Sequence, residues 1–278
     1  MAAAIPSEKK VFDYAYNASS AAKYHLSVQI NQNSFLFVLI HITENKAIGF
    51  GKYHFPTPPK KELYEAGLKD WLRNPMFSLP FQSVSVFYSG RYSTLIPSGL
   101  FDEANSADFM RFNFRLENDS SAKSNKINAL SAHVAFSCPN AVLNLLNGKF
   151  VNYSLKHSST SSISYFMEFL KSSNSPTVLL DIHTDFFALL VGEKKGLLLY
   201  NSFPRSNAED IMYFLLYSLE KLEIDNEETA VLLCGETNAL SVEHGLLQKY
   251  FKSIRFLEKL EGLNILLKLR EFQTPEHF

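Results

Sequence analysis

From Leu26 the chain alternates apolar and polar positions through Leu26, Val28 and Ile30. It then meets the polar run Asn31-Gln32-Asn33-Ser34 and becomes continuously apolar from Phe35 to Ile40. A period of two buries one face of a strand, and a short unbroken apolar run suits a strand covered on both faces. The pattern predicts a strand, a tight polar turn and a buried strand. A third strand is predicted over Ala47 to Tyr53, after the turn-forming Thr43-Glu44-Asn45-Lys46. Thr57-Pro58-Pro59 ends the ladder, since proline has no N–H to give it. A helix is predicted over Lys61 to Leu72, where Leu63, Tyr64, Leu68, Trp71 and Leu72 fall near helical spacing. Val84 to Tyr88 reads as a short closing strand.

The same order returns from Thr177. An apolar run to Ile182 precedes the turn His183-Thr184-Asp185, then Phe186 to Val191, a turn over Gly192 to Gly196, and Leu197 to Phe203. Ser206 with Glu209 three residues later predicts a capping box, opening a helix on which Ile211, Phe214, Leu215, Leu219 and Leu222 form one apolar face. Ala230 to Cys234 closes this half as a strand. Pairing Phe55 with Phe203 gives an offset of 148, and pairing Val86 with Leu232 gives 146. The pattern therefore predicts a duplicated β-β-β-α-β domain, with halves at 1–150 and 151–278 enclosing a cleft, and with Ile30 and Ile182 at equivalent positions.

Between the halves, the polar residues 117–126 read as a loop or hairpin tip. A strand over Ala129 to Phe136 and a helix over Asn140 to Leu146 follow. A further helix, carrying Ile163, Phe166, Met167 and Leu170, comes after the Ser/Thr run 158–162. The C-terminal end predicts a helix near Ser241 to Phe251 and strands over Ile254 to Phe256 and Leu263 to Leu269.

Composition adds exclusions more than assignments. With 46% hydrophobic and 20% charged residues the chain is of folded composition. Lys and Arg number 27 against 28 Asp and Glu, so no global field draws in nucleic acid or an anionic membrane. The 24 Phe and 13 Tyr are spread through every segment and read as core filler. No apolar run reaches the roughly 18 residues of a membrane helix, so no membrane insertion is expected. The first ten residues lack a secretory pattern, which predicts a cytoplasmic protein. Cys138 and Cys234 are far apart and read as buried free thiols.

Tyr24 to Ile30, Tyr92 to Asp102, His157 before its Ser/Thr stretch, Leu199 to Leu222 and Val231 to Glu236 together resemble an uncharacterised bacterial family with an actin-like ATPase fold and no assigned activity. The resemblance implies an α/β protein of two ribonuclease-H-like halves with mixed five-stranded sheets. Active members of the wider superfamily hold phosphate with two Asp-x-Gly turns, where glycine lets backbone amides approach the phosphates. The matching positions here are Gln29-Ile30-Asn31 and Asp181-Ile182-His183, and the Gly-Gly turn that supports adenosine is Cys234-Gly235-Glu236. The expectation is a pseudoenzyme with no ATP turnover and no cofactor. Asp181 and Gly235 are the positions left to a weak nucleotide-binding switch, the alternative reading.

Asp181 and Asp185 flank a turn with His183 and Thr184, a set that reads either as a mixed metal site or as turn formers bonded to their own backbone. A two-metal nuclease needs converging carboxylates, and the first strand offers Gln29 instead. His157, with nearby hydroxyls, reads as packing with Ser158 or Ser159 as the helix cap. Asn201 and Asp210 read as facing one inter-half groove, or as satisfying local backbone. The expected function is binding of an unidentified protein partner, with Asn201, Arg205, Asp210 and Tyr213 as the contact surface, because a rigid scaffold there presents a polar loop. Sequence alone leaves the oligomeric state open.

Overall fold

The structure, a computed structural model, describes residues 7–14, 16–57, 59–116 and 118–257. The strand expected over Leu263 to Leu269 lies outside the described residues. The first half begins with β1 (Ser7–Phe12), followed by β2 (Tyr24–Ile30), β3 (Ser34–His41), β4 (Lys46–His54), α1 (Lys61–Leu72) and β5 (Ser83–Tyr88). Then come β6 (Ser93–Pro97), α2 (Ser106–Asn113), β7 (Ser120–Ile127), β8 (Ala132–Pro139), α3 (Asn140–Lys149) and β9 (Ser154–His157). The second half has α4 (Ser158–Leu170), β10 (Thr177–Ile182), β11 (Phe186–Glu193), β12 (Gly196–Pro204), α5 (Ala208–Lys221), β13 (Ala230–Gly235), α6 (Val242–Leu247) and β14 (Ser253–Phe256).

The two large sheets have matching strand orders. The second is five-stranded, β12-β11-β10-β13-β14, and the first repeats that order as β4-β3-β2-β5-β9, with β1 added outside β4 to make six strands. Each is mixed: the meanders β2-β3-β4 and β10-β11-β12 are antiparallel, while β5 and β13 lie parallel to the central strands β2 and β10. Both meanders carry a register irregularity at the same place, between Leu39 and Ile40 in one and between Val191 and Gly192 in the other. Ile30 and Ile182 end their central strands at matching positions, as expected.

The other landmarks shift. Phe55 corresponds to Arg205, since both donate their N–H to the last turn residue, Asn33 or Asp185. Val86, opposite Val28, corresponds to Leu233, opposite Leu180. The offset therefore shrinks along the unit from 152 at Ile30 to 150 at Phe55 and 147 at Val86. Phe203 is therefore two residues from the true partner of Phe55, a slip that keeps the same face, whereas Leu232 is one residue from that of Val86, a slip that moves the side chain to the other face.

Central strands β2 and β10 are buried along their whole length, which a strand with neighbours on both edges and layers on both faces must be. Leu26, Val28 and Ile30 of β2 pack against α1 and α3 through Leu68, Trp71 and Leu146. This core is strongly aromatic: Phe35 meets Phe55 edge to face at 5.7 Å, and Trp71 meets Phe77 at 4.6 Å. In the second half Val178, Leu180 and Ile182 pack on α5, and Leu179 faces α4 with Ile163 and Phe166.

Two local expectations are corrected. Residues from Ser120 on, read as a loop, form β7, which pairs antiparallel with β8 in a third sheet of order β6-β8-β7. Its polar side chains suit a half-exposed ribbon, while its backbone finds partners on β8. The chain leaves the first sheet at His157, beyond the boundary expected at 150, because β9 pairs parallel with β5.

Candidate functional site

A cleft of about 310 Å³ lies between the halves. Its lining comes from the turn after β2, the start of α4, the end of β10 and the segment after β13. The two hairpin turns face each other there with nearly the same backbone. Asn31 N–H donates to Ser34 O at 2.8 Å and His183 N–H to Phe186 O at 2.9 Å; Ser89 and Glu236 donate to Ile30 O and Ile182 O.

The first turn is an amide network. Gln29 Nε2 donates to Asn31 Oδ1 at 2.8 Å, Asn31 Nδ2 to Ser34 Oγ at 3.1 Å, and the Tyr64 hydroxyl to Asn31 O at 3.0 Å. The second turn is ionic. Asp181 Oδ1 lies 3.2 Å from His183 Nε2, its Oδ2 accepts from Ser162 Oγ at 2.9 Å, and the imidazole stacks on Phe186 with centroids 4.3 Å apart. Burial works to raise the Asp181 carboxyl, but the His183 charge and N–H, with the Ser162 hydroxyl, hold it below the usual carboxylate range. Burial likewise works to lower His183, and the Asp181 carboxylate overrides it and raises the imidazole, aided by Glu236 and Asp185.

The halves are tied where the turns meet. Gln32 Nε2 donates to Asp185 Oδ2 at 3.1 Å, Asn33 Nδ2 approaches Glu236 Oε2 at 3.5 Å, and Thr184 Oγ1 donates to that same carboxylate oxygen at 2.5 Å. Gly235 is at φ +84°, and a Cβ there would meet Ile182 O at 2.1 Å, so this position demands glycine for close approach of β13 to the turn.

Asp181 and Gly235 both lie in the cleft lining. Asn201, Arg205, Asp210 and Tyr213 do not line it. Asn201 Oδ1 accepts from Ser202 N–H at 2.8 Å, and Arg205 Nη2 pairs with Glu243 Oε1 at 2.8 Å, both side chains largely covered. Asp210 accepts from Ser206 and Asn207 N–H, so the capping box is Asn207 with Asp210 rather than Ser206 with Glu209. Of the two readings for Asn201 and Asp210, a shared groove or local backbone bonding, these contacts are of the second kind. Tyr213 alone stands out, 64% exposed and stacked with Tyr217.

His157 caps α4 itself: its Nδ1 accepts from Ser159 N–H at 3.2 Å, and its Nε2–H donates to Gly90 O at 2.9 Å, which makes it the neutral Nε2 tautomer. Burial lowers it to about 4, only partly offset by the Gly90 carbonyl. Cys138 and Cys234 are both free thiols, and burial pushes Cys138 up to about 12. Gln29 was singled out from sequence only as the residue standing in place of a carboxylate, and Asn33, His54 and Ser161 of the lining were not singled out. The signal was present in β2, where His25, Ser27 and Gln29 alternate with core positions on a fully buried strand.

The residues present do not fit a magnesium-bound nucleoside triphosphate. Asn31 spends its side chain within the first turn, both Asp181 oxygens are taken, and Gln32 and Asn33 reach across to carboxylates of the other half. Among the described residues no group of three or more His, Cys, Asp or Glu side chains is placed to hold a metal ion.

Comparison with solved structures shows the same fold elsewhere. A Bacteroides thetaiotaomicron protein with an actin-like ATPase fold and unknown function superposes with a TM-score of 0.83 at 20% identity, covering 93% of this chain and 99% of that one. A chain from a PilM-PilN type IV pilus biogenesis complex superposes with a TM-score of 0.57 at 12% identity, covering 90% of each chain. No curated protein matches the sequence. The actin-like ATPase fold of two mixed-sheet halves is thus shared, and no helix among the described residues is long and apolar enough to cross a membrane. A family model described as "Protein of unknown function (DUF3822)" matches residues 13–254, which is most of the chain, and the chain therefore belongs to the DUF3822 family.

Proposed function

We propose that this chain is a non-catalytic, internally duplicated actin-like protein that acts as a protein-binding module or scaffold in the cytoplasm. One observation carries the reading: the two turns that would have to grip phosphate hold each other instead, through Gln32 with Asp185, and the first turn also reaches the segment after β13 through Asn33 with Glu236. A pair of halves tied in this way is a rigid support for a recognition surface. The fold is able to serve an assembly, since a neighbour sharing it was solved in a two-protein complex. Tyr213 and Tyr217 on α5, 64% and 49% exposed with rings 11° from parallel, form an aromatic patch of the kind enriched in interface hot spots.

The second reading, a weak nucleotide switch, draws on Asp181 and Gly235 lying together in the cleft. Affinity capture with the parent chain and with a Tyr213→Ala, Tyr217→Ala variant tests the first. A partner held by the parent and lost by the variant at unchanged melting temperature supports it. A partner retained equally by both removes α5 from the interface.

A further inference from the structure

The cleft contains buried polar atoms that the protein itself leaves unused. Gln29 and Asn33 are each only 7% exposed, and both line the cleft. Gln29 Oε1 and Asn33 Oδ1 have no hydrogen-bond partner among the described residues, and neither has His54 Nδ1 in the same wall. An unpaired buried acceptor is destabilising, because it has lost its water without gaining a partner. Two such acceptors around one cavity, beside an imidazole nitrogen that either tautomer leaves unpaired, point to donors that arrive from outside. A fully ionised phosphate brings only acceptors and cannot meet them.

Charge narrows the class further. Asp181 is balanced by His183, and the Glu236 carboxylate, bonded to Thr184 and Asn33, shares the lining with Lys52. Positive and negative groups offset each other, so neither an anion nor a cation is favoured. The rest of the polar wall combines the amides Asn31 and Asn238 with hydroxyls, including Ser161 at the start of α4, and Phe87 and Phe256 supply an apolar side. A volume near 310 Å³ is at the lower end of small-molecule sites.

We propose that the cleft is a binding site for an uncharged small molecule that presents several O–H or N–H donors at once. This goes beyond the scaffold reading and does not depend on it, because α5 lies outside the cleft. The test is calorimetry on the full chain with myo-inositol and uridine as uncharged probes, against uridine monophosphate, pyrophosphate and spermidine. The expected result is saturable millimolar or tighter binding of an uncharged probe, with uridine monophosphate weaker than uridine. Gln29→Leu is expected to weaken it roughly tenfold, as loss of one buried hydrogen bond does. Ser161→Ala, which removes only a cleft hydroxyl, gives a second reading if Gln29→Leu fails to fold, and is expected to weaken binding in the same direction. Failure of both uncharged probes, preference for pyrophosphate or spermidine, or binding untouched by Ser161→Ala overturns the proposal. None of these outcomes bears on partner capture through Tyr213.

Discussion

The turns after β2 and β10 have closely matching backbones and opposite chemistry. In each, the first turn residue donates to the residue that opens the next strand, and the segment leaving the neighbouring parallel strand donates back to the last isoleucine. Yet one is built from amides, Gln29 with Asn31, and the other from a buried carboxylate and imidazole, Asp181 with His183. Backbone hydrogen bonds and apolar burial specify the shape of a hairpin, while the side chains above it are free to carry different chemistry. Function therefore has to be argued from each turn separately.

The largest way to separate them is to remove one side chain from each. Asp181→Ala strips the partner from a buried imidazole and is expected to cost about 3–5 kcal/mol in denaturant unfolding. Gln29→Leu in the amide turn leaves one neutral group short of a bond and is expected to cost about 1 kcal/mol. Equal losses would show that the ionic pair contributes nothing special.

Proton linkage gives the next effect, and its sign differs between two histidines. His157 is lowered to about 4 from 6.5, so the unfolded chain binds its proton first. Stability is lost as pH falls from about 6.5 towards 4, by about 3 kcal/mol in total. His183 is raised, so its contribution is complete below the unfolded value and is lost as pH rises through the folded one. Melting curves from pH 8 to 4 are expected to show the acid loss flattened in His157→Gln and the alkaline loss removed in Asp181→Asn. Unchanged profiles would contradict both assignments.

A smaller effect tests close approach. Position 235, paired with Ile182, corresponds to Tyr88, paired with Ile30, and only Gly235 has a positive φ. Gly235→Ala is expected to cost about 2–3 kcal/mol through strain and the clash with Ile182 O. Normal stability would mean that the second half relaxes to the geometry of the first.

Most of the architecture was legible in the sequence because periodicity reports burial. Lys61 to Leu72 became α1 as spaced, and the apolar runs from Phe35 and Phe186 became β3 and β11. The polar β7 was not legible, since its stability comes from backbone pairing with β8 and not from an apolar face. Asp181 and Gly235 were legible as cleft residues through family resemblance. Gln29 was legible as a turn position, but the unpaired acceptors of Gln29 and Asn33 were not, because whether a buried amide has a partner depends on residues distant in sequence, as with Asn33 and Glu236.

The smallest effects lie on α5. Asp210→Ala removes half of a capping box and is expected to cost about 1 kcal/mol, whereas Tyr213→Ala, on the exposed face, should stay within about 0.5 kcal/mol. The reverse order would make Tyr213 structural and leave α5 without a recognition role.

The central claim is that turns tied to each other do not grip phosphate. Titration of the full chain with ATP and magnesium, followed by calorimetry and by phosphate release, tests it most directly. The account predicts no saturable heat and no turnover above a protein-free control. Saturable binding or phosphate release that Asp181→Ala abolishes would contradict it.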